Sequence, residues 1–112
     1  MSDLLNKQQQ FSRMIERLLK YAHDNGYEVT FGDAFRDERA FGHMGERKCY
    51  GQAKSAHKQR LAIDLNLFKN DEPLSETKDH ESLGIFWEGL GGTWGGRFED
   101  GNHYSLEYNG IK

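Results

Sequence analysis

The sequence is poor in two residues that shape many small domains, cysteine and proline. Cys49 is the only cysteine, and there is one proline among 112 residues. A single cysteine cannot form an intrachain disulfide, so folding need not take place in an oxidising compartment. Thirteen glycines against one proline indicate tight turns between defined elements instead of a flexible tail.

Long apolar runs and an excess of positive charge are also missing. No stretch approaches the roughly 20 apolar residues of a membrane span, and residues 1–10 lack the basic start and apolar core of a signal peptide. We therefore expect cytoplasmic synthesis and no membrane span. The formal charge is −3, which argues against a nucleic-acid partner because such proteins need a dominant basic surface. The basic cluster within residues 47–60 is interpreted as a solvated face, or as a surface that attracts an anionic cell wall.

The length and the apolar pattern predict one compact domain over residues 1–112. Residues 3–24 have the three-and-four apolar spacing of an amphipathic helix, with a start at Ser2 or Asp3 and a stop at Asn25-Gly26. Residues 27–31 and 61–68 alternate as strands do. The polar segment 36–56, which contains three glycines, has no clear period and is predicted to be a long loop.

Further predicted elements follow the second strand. Residues 70–73 read as a turn, and Ser75 can cap a helix that runs to Leu90 and buries Trp87. A glycine-rich loop and a short strand over about 103–108 complete the chain. Two segregated helices with a small antiparallel sheet between them predict the α+β class.

Three side chains form a plausible zinc-binding set. His57 lies just before the second strand, Asp64 lies within it, and His103 begins the last strand. A carboxylate among apolar neighbours must be paired, hydrogen-bonded or bound to metal. Two imidazoles and one carboxylate are a normal catalytic zinc set with one open position. Without further motifs, the favoured interpretation of Asp64 is a structural carboxylate paired with Arg60 or Arg36.

Zinc hydrolysis also needs a carboxylate that moves a proton from water to the leaving amine. Asp100 and Glu107 are the residues of this type near His103. Asp100 precedes a glycine and so also fits a turn. The other histidines, His23, His43 and His80, are expected to be solvated.

Three motifs in a fixed order resemble one enzyme family. Residues 55–65 read SAHKQRLAIDL and resemble its S-x-H-x-x-x-x-A-x-D signature; residues 83–98 read LGIFWEGLGGTWGGRF; residues 100–104 read DGNHY and match D-x-x-H-aromatic. This is the family of zinc D-Ala-D-Ala carboxypeptidases and L-alanyl-D-glutamate endopeptidases, which includes VanX/VanY-like enzymes and phage endolysins. The resemblance covers about residues 27–108 and implies a Hedgehog/DD-peptidase-like fold.

The resemblance also implies a role for each matching residue. The Zn²⁺ ligands would be His57, Asp64 and His103, and Asp100 would be the general base and acid. Arg36 would bind the substrate carbonyl or the developing oxyanion. Substrate binding would fall to Ser55, which would line the cleft, and to Trp94, which would form a cleft wall with the glycines beside it. A position in the core is an equal alternative for Trp94.

The implied activity is hydrolysis of peptidoglycan stem peptides by a monomeric phage or prophage endolysin that cuts the L-alanyl–D-glutamate bond. Such an enzyme would reach the cell wall after release through a holin or a similar route. The alternatives are a D-Ala-D-Ala carboxypeptidase and a zinc-binding module of the same fold without catalysis. One departure is that Ser105 follows Tyr104, where the family often has glutamate, and Glu107 lies further along. If the usual second carboxylate helps catalysis, Asp100 must take over its role.

Overall fold

The computed structural model describes residues 2–36, 44 and 55–112. Its first element is helix α1, Asp3–Asp24. The Ser2 hydroxyl caps it by accepting a hydrogen bond from the Leu5 amide at 3.1 Å. The helix ends at Asn25, and Gly26 follows with a φ of +86°. The predicted helix, its cap and its stop are therefore confirmed.

Five antiparallel strands of the described residues form one small sheet. The strands are β1 (Glu28–Phe31), β2 (Ala62–Lys69), β3 (Glu72–Leu74), β4 (Thr93–Trp94) and β5 (His103–Ser105). Their spatial order is β1-β2-β5-β4, and β3 pairs with the outer half of β2. Together with α1 and a second helix, α2 (Glu81–Gly89), this architecture confirms the predicted α+β class.

The alternation predicted for β2 is confirmed in its burial. Ile63, Leu65 and Leu67 are buried, whereas Asn66 between them is exposed. Because side chains alternate between the two faces of a strand, Asp64 lies on the face opposite these core residues. The strand therefore uses one face for the core and presents its carboxylate on the other. β1 buries less than predicted, since Phe31 is 62% exposed.

Two short strands were not predicted. Asn70 and Asp71, with φ of 53° and 64°, form a tight turn that returns the chain as β3 beside β2. The predicted turn over 70–73 is thus shorter than expected, and its proline belongs to β3, which within the described residues pairs only with β2. β4 lies within the segment predicted as a glycine-rich loop, where Thr93 pairs with Ser105.

The second helix begins later than predicted. A 3₁₀ turn over Thr77–His80 precedes α2, and the Asp79 carboxylate accepts a hydrogen bond from the Glu76 amide at 3.1 Å. The helical segment is therefore capped by Glu76, one residue after the predicted cap Ser75, because Asp79 lies three positions after Glu76 and provides this contact. The α-helix itself begins only at Glu81. The predicted burial of Trp87 is confirmed: it is fully buried and donates to the Ser105 carbonyl at 2.9 Å.

One histidine lies in the core, contrary to the prediction that it is solvated. His80 is 2% exposed, and its Nδ1 lies 2.7 Å from the Tyr104 hydroxyl. Burial lowers the pKa of His80 to about 4, although the charge of Asp79 opposes this shift. His23 is exposed as predicted. The predictions for His43 and for most of the 36–56 loop, including Cys49, fall outside the described residues.

Among the described residues, no helix has the length and apolar character that crossing a bilayer requires. α1 has the length, but its outer face is polar and only its inner stripe is buried.

Candidate metal centre

His57 is held in one orientation by the backbone around it. It lies in a 3₁₀ turn, Ala56–Gln59, whose start is capped by the Ser55 hydroxyl, 3.2 Å from the His57 amide. Its ring is buried, and Nδ1 lies 3.0 Å from the Ala34 carbonyl oxygen. A carbonyl only accepts hydrogen bonds, so Nδ1 is the donor. In the neutral ring, Nε2 therefore keeps a free lone pair.

Asp64 is fixed by the hydrogen bonds of its own strand. Its amide donates to the Asp33 carbonyl at 2.8 Å, and its carbonyl accepts from the Gly32 amide at 2.8 Å. Its Oδ1 lies 3.2 Å from His57 Nε2 and 3.6 Å from His103 Nδ1. Burial raises the pKa of the Asp64 carboxyl, but the ring nitrogens of His103 and His57 lower it by more. The net result is a pKa far below the usual range, so the carboxylate is ionised at neutral pH.

The strand register brings His103 to the same place. His103 on β5 is the cross-strand partner of Asp64 on β2. The flanking residue Leu65 donates to the Asn102 carbonyl at 2.9 Å, so the Asp64–His103 pair is a non-hydrogen-bonded one, in which side chains approach most closely. The rings of His57 and His103 are 5.2 Å apart between centroids. Residues that are 46 positions apart in the sequence thus share one small volume.

These three side chains fit a metal ion. One ligand atom from each lies within 4.8 Å of the other two. Among the described residues, Asp64 Oδ1 and His103 Nε2 are buried and have no hydrogen-bond partner. The nitrogen His57 Nε2 lies 3.2 Å from Asp64 Oδ1. A carboxylate oxygen that faces an imidazole lone pair is repelled unless a proton or a metal cation lies between them. Zinc bonds of 2.0–2.1 Å imply ligand atoms about 3.3 Å apart in a tetrahedron, close to the observed 3.2 and 3.6 Å.

Arg36 and Ser55 lie beside this group, as predicted. The Arg36 side chain is mostly buried, with Nε 3.3 Å from Asp33 Oδ2 and Nη1 3.1 Å from the Ser55 hydroxyl. Nη2 lies 3.9 Å from Asp64 Oδ2. The guanidinium is therefore held in place by two carboxylates and a hydroxyl. Asp33, which precedes Arg36 by three positions and follows β1, forms the ion pair that orients the guanidinium.

A cleft of about 220 Å³ opens onto two residues of this group, His57 and His103. The residues around it include both predicted and unpredicted ones: Arg36, Ser55, His57, Phe98, Asp100, His103 and Lys112. Asp100 is half-exposed, and its Oδ2 lies 3.9 Å from His103 Nδ1. Glu107, the other carboxylate considered, is exposed and does not line the cleft. Lys112 lies outside the three motifs, and Phe98 is the last residue of the 83–98 motif but was given no role.

The loop that carries Asp100 depends on one close backbone approach. The Asp100 amide donates to the Gly95 carbonyl at 2.8 Å, and its own carbonyl accepts from the His103 amide at 3.1 Å. A Cβ on Gly95 would lie 2.2 Å from the Asp100 carbonyl oxygen and 2.7 Å from the His103 Cβ. A side chain at position 95 would therefore displace Asp100 and His103 together.

Trp94 does not form a cleft wall, which corrects the prediction. Its ring is 3% exposed, and its Nε1 donates to the Gly101 carbonyl at 2.8 Å. A Cβ on Gly84 or Gly96 would lie 2.1 or 2.2 Å from this ring. The glycines near Trp94 therefore make room for a buried indole instead of admitting a peptide. A large aromatic side chain between small residues is stabilised by core packing, and burial excludes contact with a substrate.

The comparisons with known proteins agree with this geometry. The sequence model of one family, described as D-alanyl-D-alanine carboxypeptidase, matches residues 50–106, which is half of the chain and contains all three residues of the candidate metal group. A search of curated proteins finds no match. On the strength of the family match, this chain belongs to the D-alanyl-D-alanine carboxypeptidase family of peptidoglycan peptidases.

Proposed function

We propose that the chain is a zinc-dependent peptidase that hydrolyses peptidoglycan stem peptides, and that residues 1–112 form one such domain. The observation that carries the proposal is the convergence of His57, Asp64 and His103 beside Asp100 in an open cleft. In this proposal the three converging residues hold the zinc ion. A bound Zn²⁺ supplies Lewis-acid chemistry, which acidifies water and polarises the scissile carbonyl.

The chain's own side chains perform the remaining steps. Asp100 is half-exposed on the cleft, so it can take a proton from the attacking water and give it to the leaving amine. Arg36 presents a fixed guanidinium next to Asp64. A preoriented donor of this kind stabilises negative charge that develops on the carbonyl oxygen without a cost of reorganisation. Ser55 keeps both Arg36 and the His57 backbone in place.

For the bond, we propose L-alanyl–D-glutamate, cut by a phage or prophage endolysin that acts on the wall after release through a holin or a similar route. The resemblance of residues 83–98 to phage enzymes supports this proposal. The second candidate is the terminal D-Ala–D-Ala bond, and the description of the matched family favours it. Both activities require the same metal group and the same proton transfer.

Digestion of purified peptidoglycan distinguishes these activities. We expect the zinc-loaded protein to release fragments whose masses show a new D-glutamate amino terminus, and we expect chelation to stop their release. Loss of terminal D-alanine alone would instead establish the carboxypeptidase. If the zinc-loaded protein releases neither product, the peptidase proposal is wrong and the zinc-binding module without catalysis replaces it.

A further inference from the structure

A second cavity lies beside the cleft and shares Asp100 with it. The cavity has a volume of about 380 Å³, and Asp100 lines both spaces. It occupies a gap along one edge of β2, where residues 62–64 pair with β5 and residues 67–69 pair with β3. Leu65 lies in this gap, and its amide donates to the Asn102 carbonyl at 2.9 Å. Because the amide and the carbonyl of a strand residue point to the same side, the Leu65 carbonyl faces the gap as well.

The walls of this cavity combine apolar surface with negative charge. Phe68 and Leu74, on β2 and β3, supply apolar side chains, and Glu99 and Asp100 supply two exposed carboxylates. Among the described residues that line the cavity there is no lysine or arginine. The histidine in this lining, His80, is uncharged at neutral pH because burial lowers its pKa to about 4. A cation carried on an aliphatic stem is complementary to such a space.

The acidic side of the cavity is held in place by backbone contacts. The Asp100 amide donates to the Gly95 carbonyl at 2.8 Å, and Glu99 before it adopts a φ of 62°. A Cβ on Gly101 would lie 2.5 Å from the Thr77 Cα, so this loop packs directly against the 3₁₀ turn that precedes α2. The two carboxylates therefore lie on a backbone that is fixed without a ligand, which lowers the ordering cost of binding.

The position of the cavity relates it to one side of the substrate. In the proposed function Asp100 passes a proton to the leaving amine, so the cavity on the far side of Asp100 lies on the amine side of the scissile bond. On that side of an L-Ala–D-Glu bond, the stem peptide continues with D-glutamate and then a diamino acid, whose aliphatic side chain ends in an amino group. On the same side of a D-Ala–D-Ala bond there is one alanine, which has no cationic side chain. The cavity therefore fits the longer of the two substrates.

We propose that this cavity is a substrate subsite for the second residue on the amine side of the scissile bond, and that Glu99 binds the side-chain ammonium of a diamino acid there. The inference rests on the proposed function and adds a substrate requirement to it. The enzyme would prefer a stem peptide whose diamino acid has a free amino group. Stems whose amino group is acylated in a cross-link would be poorer substrates.

The test compares two synthetic stem peptides that differ only at this residue, one with lysine and one with norleucine, which lacks only the amino group. We expect the wild type to have the higher kcat/KM on the lysine peptide, mainly through KM. The Glu99→Gln variant should lose about threefold in kcat/KM on the lysine peptide, as expected for one exposed ion pair, and stay unchanged on the norleucine peptide. Because salt screens exposed charges, the preference should shrink at about 1 M sodium chloride.

Two further variants separate this role from a general effect of charge. Glu99→Asp keeps the carboxylate and should keep the preference for lysine. Glu16→Gln removes an exposed carboxylate of α1 and should change the activity on neither peptide. Zinc content should be equal in all variants.

Three outcomes would overturn the inference and leave the peptidase proposal standing. They are equal kcat/KM of the wild type on both peptides, a full preference for lysine in Glu99→Gln, and release of terminal D-alanine alone. If the wild type cuts neither peptide, the proposed function fails, and the inference fails with it.

Discussion

Replacement of Asp100 by asparagine is expected to reduce stem-peptide hydrolysis by about 10²–10⁴-fold, the usual contribution of a positioned general acid or base. Asparagine has the same shape but cannot accept and return a proton. Asp100 is not a member of the candidate metal group, and its Oδ2 is 3.9 Å from His103 Nδ1. The variant should therefore bind as much zinc as the wild type. The measurements are kcat on a defined stem peptide and zinc content by mass spectrometry.

Glu107→Gln is the matched control for this prediction. Glu107 is also a carboxylate within a few residues of His103, but it is exposed and does not line the cleft. Its replacement should leave kcat within about twofold, because exposed substitutions away from a site have small effects. Full activity of Asp100→Asn would show that another group transfers the proton. A loss of activity in Glu107→Gln alone would move the assignment to that residue.

Replacement of Asp64 by asparagine is expected to remove both zinc and activity. Loss of a residue that only supports a ligand costs roughly 10–100-fold in metal affinity, and loss of a ligand should cost more. The strand should persist, because the hydrogen bonds of Asp64 to Asp33 and Gly32 come from its backbone. Calorimetric titration with zinc measures the affinity, and circular dichroism checks that the variant is folded.

Asp33→Asn is the control for this second variant. It removes a carboxylate from the same neighbourhood, where Asp33 contacts Arg36 at 3.3 Å, but Asp33 is not one of the three grouped residues. We expect Asp33→Asn to bind zinc with wild-type affinity even if its activity falls through Arg36. Folded Asp64→Asn protein that binds zinc as tightly as the wild type would contradict the proposed ligand set.

The parts of the fold that were predictable have strong local signals. The alternation of β2 indicated which face would carry Asp64, and the three-and-four spacing of α1 indicated its buried stripe. Sequence alone does not give the register between β2 and β5, which places His103 opposite Asp64. The three family motifs, read in their order along the chain, instead predicted that Asp64 and His103 bind the same metal ion. The candidate metal group was therefore predictable only because the motifs were read together.

The features that escaped prediction depend on contacts between distant residues. The glycines beside Trp94 in the sequence favoured a cleft wall, but Gly84 of α2 packs against the Trp94 ring from another element. His80 is buried because Tyr104, 24 positions later, provides a hydrogen-bond partner. Lys112 lines the cleft at the end of a hairpin over residues 108–111, whose Asn-Gly turn is a readable signal, although the place where that hairpin docks is set by the packing of Ile111.

The most direct test of the central claim is the hydrolysis of purified peptidoglycan by metal-free protein as zinc is added back in measured equivalents. The account predicts that chelated protein releases no stem-peptide fragments and that activity rises linearly with zinc and saturates at about one equivalent per chain, as expected for a single site with three protein ligands and one open position. Undiminished hydrolysis by the metal-free protein, or no hydrolysis at full zinc occupancy, would contradict it.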